Sequence, residues 1–92
     1  MTGQIVDSKF TVEPWTLICV HVTRDQNVIV GGINGDKGVV IVMNQDGRHL
    51  DKYENENDKP LFKYPNKITT TKNGNIFVTD YKCNRVVIIK PG

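Results

Sequence analysis

The sequence lacks the features that would place a small protein in a membrane or in an oxidising compartment. No apolar run approaches the about 20 residues of a membrane span, and no apolar stretch follows basic residues near the start, as in a secretory signal. Its two cysteines lie at unrelated places, Cys19 in an apolar segment and Cys83 in a polar loop, which favours reduced thiols. We therefore expect a soluble, cytoplasmic protein with no membrane partner.

Catalytic and cofactor-binding motifs are also missing. The 92 residues contain no GxSxG nucleophile motif, no Walker phosphate-binding loop, no CxxC pair and no HExxH zinc motif. The net charge of +2 neither requires nor excludes nucleic acid as a partner. We predict a protein that is not an enzyme and that binds no cofactor and no metal.

His21 is the residue that keeps a metal site open as an alternative. It lies on the strand predicted to be innermost, where symmetric copies could bring three imidazoles together around an axis. A histidine satisfied within its own sheet is the commoner situation, and we prefer that interpretation. His49 is interpreted as a surface residue. The polar stretch 54–59 is interpreted as a solvated loop, because it lacks the glycine and alternating ligands of a calcium loop.

An internal repeat is the strongest positive feature of the sequence. Residues 20–47 recur, with changes, at 68–92. At an offset of 48 residues the matches include Thr23 with Thr71, Asn27 with Asn75, and Gly32 with Asp80. A period of about 45 to 50 residues, built from strand-like segments, is typical of β-propeller blades. We predict one strand-swapped domain, 1–92, made of two repeated units at about 3–46 and 47–92, in which the outer strand near the N-terminus pairs with the last strand of another copy.

Short runs rich in valine and isoleucine, bounded by glycine, asparagine, aspartate or proline, predict β-strands and no helix. Asn73 and Gly74 predict a type I′ hairpin turn in the second unit. Two outer strands are predicted where a glycine precedes mixed apolar and charged residues. The eight predicted strands lie at 4–10, around His21, and at 28–30, 39–43, 48–54, 67–71, 75–80 and 85–90.

The second unit resembles an NHL repeat at the positions that carry that pattern, which are Pro65, Ile68 and the segments 73–80 and 84–88. The chain resembles the C-terminal NHL domain of TRIM-NHL proteins over nearly its whole length, and the second unit matches the pattern better than the first. It implies an all-β fold of two four-stranded propeller blades. Since six blades are the commonest ring of that family, it also implies a six-bladed β-propeller completed as a homotrimer. Four chains with eight blades are the alternative.

Two charged residues of the second unit are absent together from the first. Asp80 is matched by Gly32, and Arg85 is matched by Gly38. Loss of only one partner would leave a buried charge uncompensated. The joint absence therefore predicts a structural pair between Asp80 and Arg85, across the loop that joins their strands.

The remaining functional signal is a group of aromatic, lysine and asparagine side chains in loops that share one face in propellers of this kind. The candidate partner-binding residues are Trp15, Asn34, Lys63, Tyr64, Tyr81 and Lys82, with Lys59 and Phe62 in the same loops. Aromatic side chains among lysines can stack on unpaired bases or anchor a peptide. For Trp15, Phe62 and Tyr64 the alternative is packing between blades.

Three functions are compatible with this face. Binding of a protein partner comes first, because acidic residues beside the lysines weaken any field that would attract phosphates. Binding of single-stranded RNA, which the NHL resemblance implies, is the alternative. A metal-dependent lyase or lactonase is the third, since similar propellers host such enzymes, but these need several inward carboxylates or histidines.

Overall fold

The computed structural model describes residues 3–8, 10–56 and 59–91, and its regular structure is β-sheet. The strands are β1 Thr16–Val22, β2 Val28–Asn34, β3 Lys37–Met43, β4 His49–Tyr53, β5 Asn55–Glu56, β6 Lys59–Pro60, β7 Pro65–Thr70, β8 Ile76–Asp80 and β9 Arg85–Ile89. One 3-10 turn, Tyr81–Cys83, joins β8 to β9. The all-β fold class is confirmed, and within the described ranges no helix is long and apolar enough to cross a membrane.

The strands form two antiparallel sheets and a small separate hairpin. Sheet one has the order β1-β2-β3-β4, and sheet two has the order β7-β8-β9. In the described ranges β5 and β6 pair with each other, from Asn55 in the polar stretch 54–59 to Pro60 just after it. Sheet two therefore has three strands within the described part of the chain, where the sequence predicts four for a complete blade.

The sequence patterns differ between strands because their burial differs. β2 and β3 are buried on both faces over most of their length, so valine, isoleucine and glycine follow one another without polar alternation. β8 alternates instead, with Ile76, Val78 and Asp80 buried and the residues between them half-buried. This alternation is the period-2 pattern of a strand covered more completely on one face than on the other.

The outer strand predicted at 4–10 does not form within the single chain, for the residues that the structure describes. Residues 3–8 and Phe10 form no strand, and Lys9 lies outside the described residues. A strand exists only where a neighbouring edge accepts its backbone hydrogen bonds, and this segment pairs with no edge of its own chain. The strands number nine in the described ranges, because β5 and β6 occur in the stretch that we predicted to be a loop.

Three hairpin loops share one geometry, and they correct the predicted turn type. The loops are 23–27, 44–48 and 71–75. In each loop the fourth residue donates its N–H to the carbonyl of the first, and this fourth residue, Gln26, Gly47 or Gly74, has a positive φ. That is the pattern of a type I turn followed by a left-handed residue. The type I′ prediction is wrong because a positive φ is found at Gly74 and not at Asn73.

The core consists of two apolar clusters on opposite faces of sheet one. The first lies between the two sheets and contains Ile29, Val40, Phe62, Ile76, Val78 and Ile89. Phe62 comes from the segment 61–64, here called the linker, which leads from β6 into β7. The second cluster contains Val30, Val39, Ile41 and Met43, and it is covered by Phe10, Val12 and Trp15. The chain itself therefore covers both faces of sheet one at β2 and β3, while Leu17, Val20 and Val22 of β1 are exposed.

The repeat is visible in the strand pairing. β1 and β7 shift register at the same place, after Leu17 opposite Gly32 and after Pro65 opposite Asp80. The pairing also corrects one sequence match. Gly32 pairs with Val39 and Asp80 pairs with Arg85, so Val39, not Gly38, is the counterpart of Arg85. The mismatch arose because the stretch between the paired residues is 33–38 in the first unit and 81–84 in the second, a difference of two residues where the sequence match allowed for one.

Gln26 is a strained residue, because it adopts a φ of 65° where the two equivalent loops have glycine. A side chain in the left-handed region costs about 1 kcal/mol relative to glycine. Gln26→Gly should therefore raise the free energy of unfolding by up to about 1 kcal/mol, and Gly74→Gln should lower it by a similar amount. Urea denaturation of the two variants measures both effects. Opposite signs, or no change in either variant, would contradict the shared loop geometry.

Candidate functional site

A basic groove lies where the loop between β2 and β3 meets the linker and the 3-10 turn. We call it the loop groove. Its volume is about 530 Å³, and it is lined by Asn34, Asp36, Lys37, Pro60, Lys63 and Lys82. The first three residues come from the first unit and the last three from the second unit. The groove therefore depends on how the two units pack together.

The charge of the loop groove is predominantly positive. Lys37, Lys63 and Lys82 contribute three ammonium groups, and Asp36 contributes one carboxylate. All four side chains belong to exposed residues, so they are hydrated and free to reorient. Such a surface attracts anionic groups, and the attraction weakens as salt screens the charges.

Two tyrosines extend the groove on the side of the 3-10 turn. The ring centroids of Tyr64 and Tyr81 are 5.7 Å apart with an interplanar angle of 60°, which is an edge-to-face contact. Lys82 Nζ lies 5.9 Å from the centroid of the Tyr64 ring. Tyr81 is 69% exposed, so much of its ring surface is available to a ligand.

Asp80 fixes the backbone of the linker beside the loop groove. Its buried carboxylate accepts hydrogen bonds from the backbone N–H of Lys63 to Oδ2 and of Tyr64 to Oδ1, each at 3.0 Å. Arg85 lies beside it, with Nε 3.8 Å from Asp80 Oδ2, and its guanidinium also donates to the carbonyl of Leu61. The two charged residues therefore hold the linker from both ends, and the linker carries one wall of the groove.

The environment of Asp80 favours its ionised form. Burial alone would raise the pKa of this carboxyl group, because the charged form loses hydration. Four groups oppose this effect by stabilising the charged form, and together they hold the pKa of Asp80 below its ordinary value. They are the N–H groups of Lys63 and Tyr64, the Cys83 thiol and the charge of Arg85. Asp80 is thus a charged structural group.

Trp15 does not line the loop groove. Its side chain packs on the second core cluster, and Lys52 Nζ lies 5.9 Å from its ring centroid. Phe62 is fully buried in the first cluster, while Lys59 is exposed on β6. The structure thus brings together Asn34, Lys63, Tyr64, Tyr81 and Lys82 of the predicted face. Asp36, Lys37 and Pro60 were missed, although the first two follow Asn34 after a single glycine in the sequence.

The histidines and cysteines are engaged in local contacts. His21 Nε2 lies 3.0 Å from Thr70 Oγ1, and His49 Nε2 lies 3.0 Å from the carbonyl oxygen of Thr11. Among the described residues, no three metal-ligating side chains come together. Both cysteines are free thiols. Cys19 donates a hydrogen bond to the carbonyl of Pro65, and burial raises the pKa of its thiol.

No known protein family, curated protein or solved structure matches this chain. The NHL resemblance therefore stays a prediction from sequence, and the properties it implies are proposals. The geometry of the loop groove stands without it.

The role of Asp80 predicts unequal effects of the two members of the pair. Asp80→Ala leaves two linker N–H groups without an acceptor and should lower the free energy of unfolding by about 3 kcal/mol. Arg85→Ala should cost about 1 kcal/mol, because the Arg85 side chain is half exposed and the carboxylate keeps its two N–H donors. A double-mutant cycle by urea denaturation should give less than the sum of the two losses. Additive effects would show that the residues act independently.

Asp80 should also make stability depend on pH in the acid range. Because its pKa is lower in the folded than in the unfolded state, its contribution is present above the unfolded pKa of about 4 and is lost as pH falls through the folded pKa. Urea midpoints measured between pH 7 and pH 2 should fall more steeply for the unaltered chain than for Asp80→Asn. Asp36→Asn, on the exposed β2–β3 loop, is the matched control and should keep the steep fall. Identical profiles for all three chains would contradict this role.

Proposed function

We propose that this protein is a non-enzymatic β-propeller interaction module that self-assembles into a closed ring and binds protein partners through its loop face. The observation that carries the proposal is the loop groove, where a buried carboxylate holds the backbone of Lys63 and Tyr64 beside two further lysines and the exposed ring of Tyr81. Rigid positioning of a recognition surface lowers the entropic cost of binding.

The ring is supported by the incompleteness of sheet two. Its β9 edge has no partner strand within the described part of the chain, whereas β3 of sheet one pairs with β4. Open edges and uncovered sheet faces favour association, and a closed ring removes all of them. Three chains would give six blades, and four chains would give eight. A ring of three would also present three loop grooves on one face, so a partner with repeated binding segments would gain avidity.

The chemistry of the loop groove favours an acidic, partly aromatic or apolar protein segment. Lys37, Lys63 and Lys82 provide charge complementarity, and the Tyr64–Tyr81 pair provides an apolar surface for a side chain. Tyrosine is enriched at the centres of protein interfaces because its ring buries a large area at low entropic cost. Asp36 inside the groove would repel a phosphate and can accept a hydrogen bond from a peptide N–H.

Single-stranded RNA is the second candidate ligand. The specific observation in its favour is the exposed ring of Tyr81 beside Lys82, since a base can stack on such a ring while a lysine neutralises its phosphate. RNA channels combine several stacking rings with a continuous basic track. The described loop groove offers one strongly exposed ring and a carboxylate, which places protein binding first.

Salt dependence separates the two candidates. A random single-stranded RNA pool should bind weakly and without the steep loss of affinity with salt that marks release of counterions from phosphates. If the affinity for RNA instead falls steeply with rising salt, and Lys82→Glu abolishes that binding, RNA is the ligand.

For a protein ligand, the unaltered chain should bind a set of acidic, tyrosine- or leucine-containing peptides. The double variant Lys63→Glu, Lys82→Glu should weaken that binding at least tenfold, since two attractive contacts become repulsive. Lys72→Glu, in the hairpin loop 71–75 and outside the loop groove, is the matched control and should bind normally. Equal affinity of the double variant and the control would refute the proposed site.

A further inference from the structure

Equivalent positions of the two units differ in exposure, and the differences form two surfaces. On the inner strand of the second unit, Pro65 is buried and Ile68 packs against the core between the sheets. Their counterparts at an offset of 48 residues are Leu17 and Val20, and both of these apolar side chains are more than half exposed. Val22 is also exposed, at 60%. We call the surface formed by Leu17, Val20 and Val22 the head face.

A second uncovered surface lies on the opposite side of the molecule. In sheet one, Ile29 and Val40 are buried against sheet two. The strand pairing assigns Phe77 and Val86 as their counterparts in sheet two, and Ile88 as the counterpart of Val42. Val86 is 57% exposed and Ile88 is 49% exposed. We call the surface formed by Phe77, Val86 and Ile88 the tail face.

The head and tail faces correspond, through the repeat, to the two sides of the contact between sheet one and sheet two. Within the chain, the sheet-one residues equivalent to the tail face pack against the sheet-two residues equivalent to the head face. We propose that the tail face of one chain packs on the head face of a second copy, so that the contact between chains repeats the contact between units. This contact rests on the closed ring proposed above, and it specifies which surfaces of neighbouring chains meet in that ring. It is a heterologous, head-to-tail contact, not a two-fold one.

The N-terminal segment would complete the same contact. Residues 3–8 are exposed and form no strand, and their apolar members Ile5 and Val6 are among the most exposed large side chains of the chain. Gly3, Val6 and Asp7 match Gly47, Leu50 and Asp51, which lie in and before β4. β4 is the strand that sheet two lacks.

The β3–β4 pairing fixes how this segment would add to β9 of the neighbouring chain. Asp51 lies opposite Val42, and Lys52 lies opposite Ile41. In the second unit, Ile88 and Val87 are the counterparts of Val42 and Ile41. The same pairing would therefore place Asp7 opposite Ile88 of the second copy, and Ser8 opposite its Val87. The backbone groups on the open edge of β9 would then be hydrogen-bonded, and the exposed residue Ile5 would join a sheet.

Complementary blocking variants test the contact. Val20→Asp blocks the head face, Ile88→Asp blocks the tail face, and Leu50→Asp changes an exposed apolar residue outside both faces. Light scattering should find each of the first two variants as single chains and their equimolar mixture as a species of two chains, because one intact head then meets one intact tail. The Leu50→Asp control should assemble like the unaltered chain. Assembly of the blocked variants alone, or no two-chain species on mixing, would overturn the proposal.

A cross-linking experiment covers the case in which a blocked variant fails to fold. The His21–Thr70 contact within the chain predicts that Thr69 of one chain lies against Val22 of the next. In a Cys19→Ser, Cys83→Ser background that retains the circular dichroism of the unaltered chain, Val22→Cys and Thr69→Cys chains are mixed with a short bismaleimide. The mixture should give a covalent dimer and either chain alone none. Homotypic dimers would indicate a two-fold contact and refute the proposal.

The two proposals fail separately. The loop groove contains none of the residues changed in these variants. A single-chain variant that still binds acidic peptides would leave the loop-face function standing whatever the contact proves to be. Normal head-to-tail assembly with no peptide binding would leave the contact standing and remove the function.

Discussion

The structure depends on one buried charge, the carboxylate of Asp80. It accepts hydrogen bonds from two consecutive N–H groups of the linker, and Arg85 holds the beginning of the same linker. The linker places Phe62 in the core between the sheets and Lys63 and Tyr64 at the surface. A single group therefore couples the packing of the two units to the geometry of the loop groove. These two donors come from the backbone, so they are independent of the side chains that line the loop groove.

The first unit has no such charge because its space is occupied differently. A Cβ on Gly32 would lie 3.1 Å from Trp15 Cβ, and a Cβ on Gly38 would lie 2.9 Å from Phe62 Cβ and 2.7 Å from Pro65 Cδ. Gly38 also donates its N–H to the carbonyl of Phe62. Glycine at this position lets the linker approach sheet one closely enough to hydrogen-bond. The two units thus share a strand framework. They differ because the linker belongs to the second unit and packs against the first unit at Gly38.

The sequence predicts what depends on local pattern and misses what depends on neighbours. Runs of valine and isoleucine around Val30, Ile41 and Ile88 were sufficient for the all-β class, because their β-branched side chains fit a pleated sheet. The absence of Asp80 and Arg85 counterparts from the first unit predicted a pair that the structure places 3.8 Å apart. The segment 4–10 was predicted as a strand, yet a strand needs an edge to pair with, and the sequence pattern does not reveal whether the same chain provides one. Trp15 was predicted on the binding face but packs on the second core cluster. The sequence does not show this, because the direction of its side chain depends on the space beside Gly32.

The central claim is that two units are not enough for a complete structure and that further copies of the chain supply what is missing. Three features of the described ranges favour this: uncovered valine and isoleucine side chains, a β9 edge without a partner strand, and residues 3–8, which pair with no strand. The mass of the particle in solution, measured by light scattering at micromolar concentration, tests the claim most directly. The account predicts three times the chain mass of 10.4 kDa. A stable, well-folded particle with the mass of one chain would contradict it.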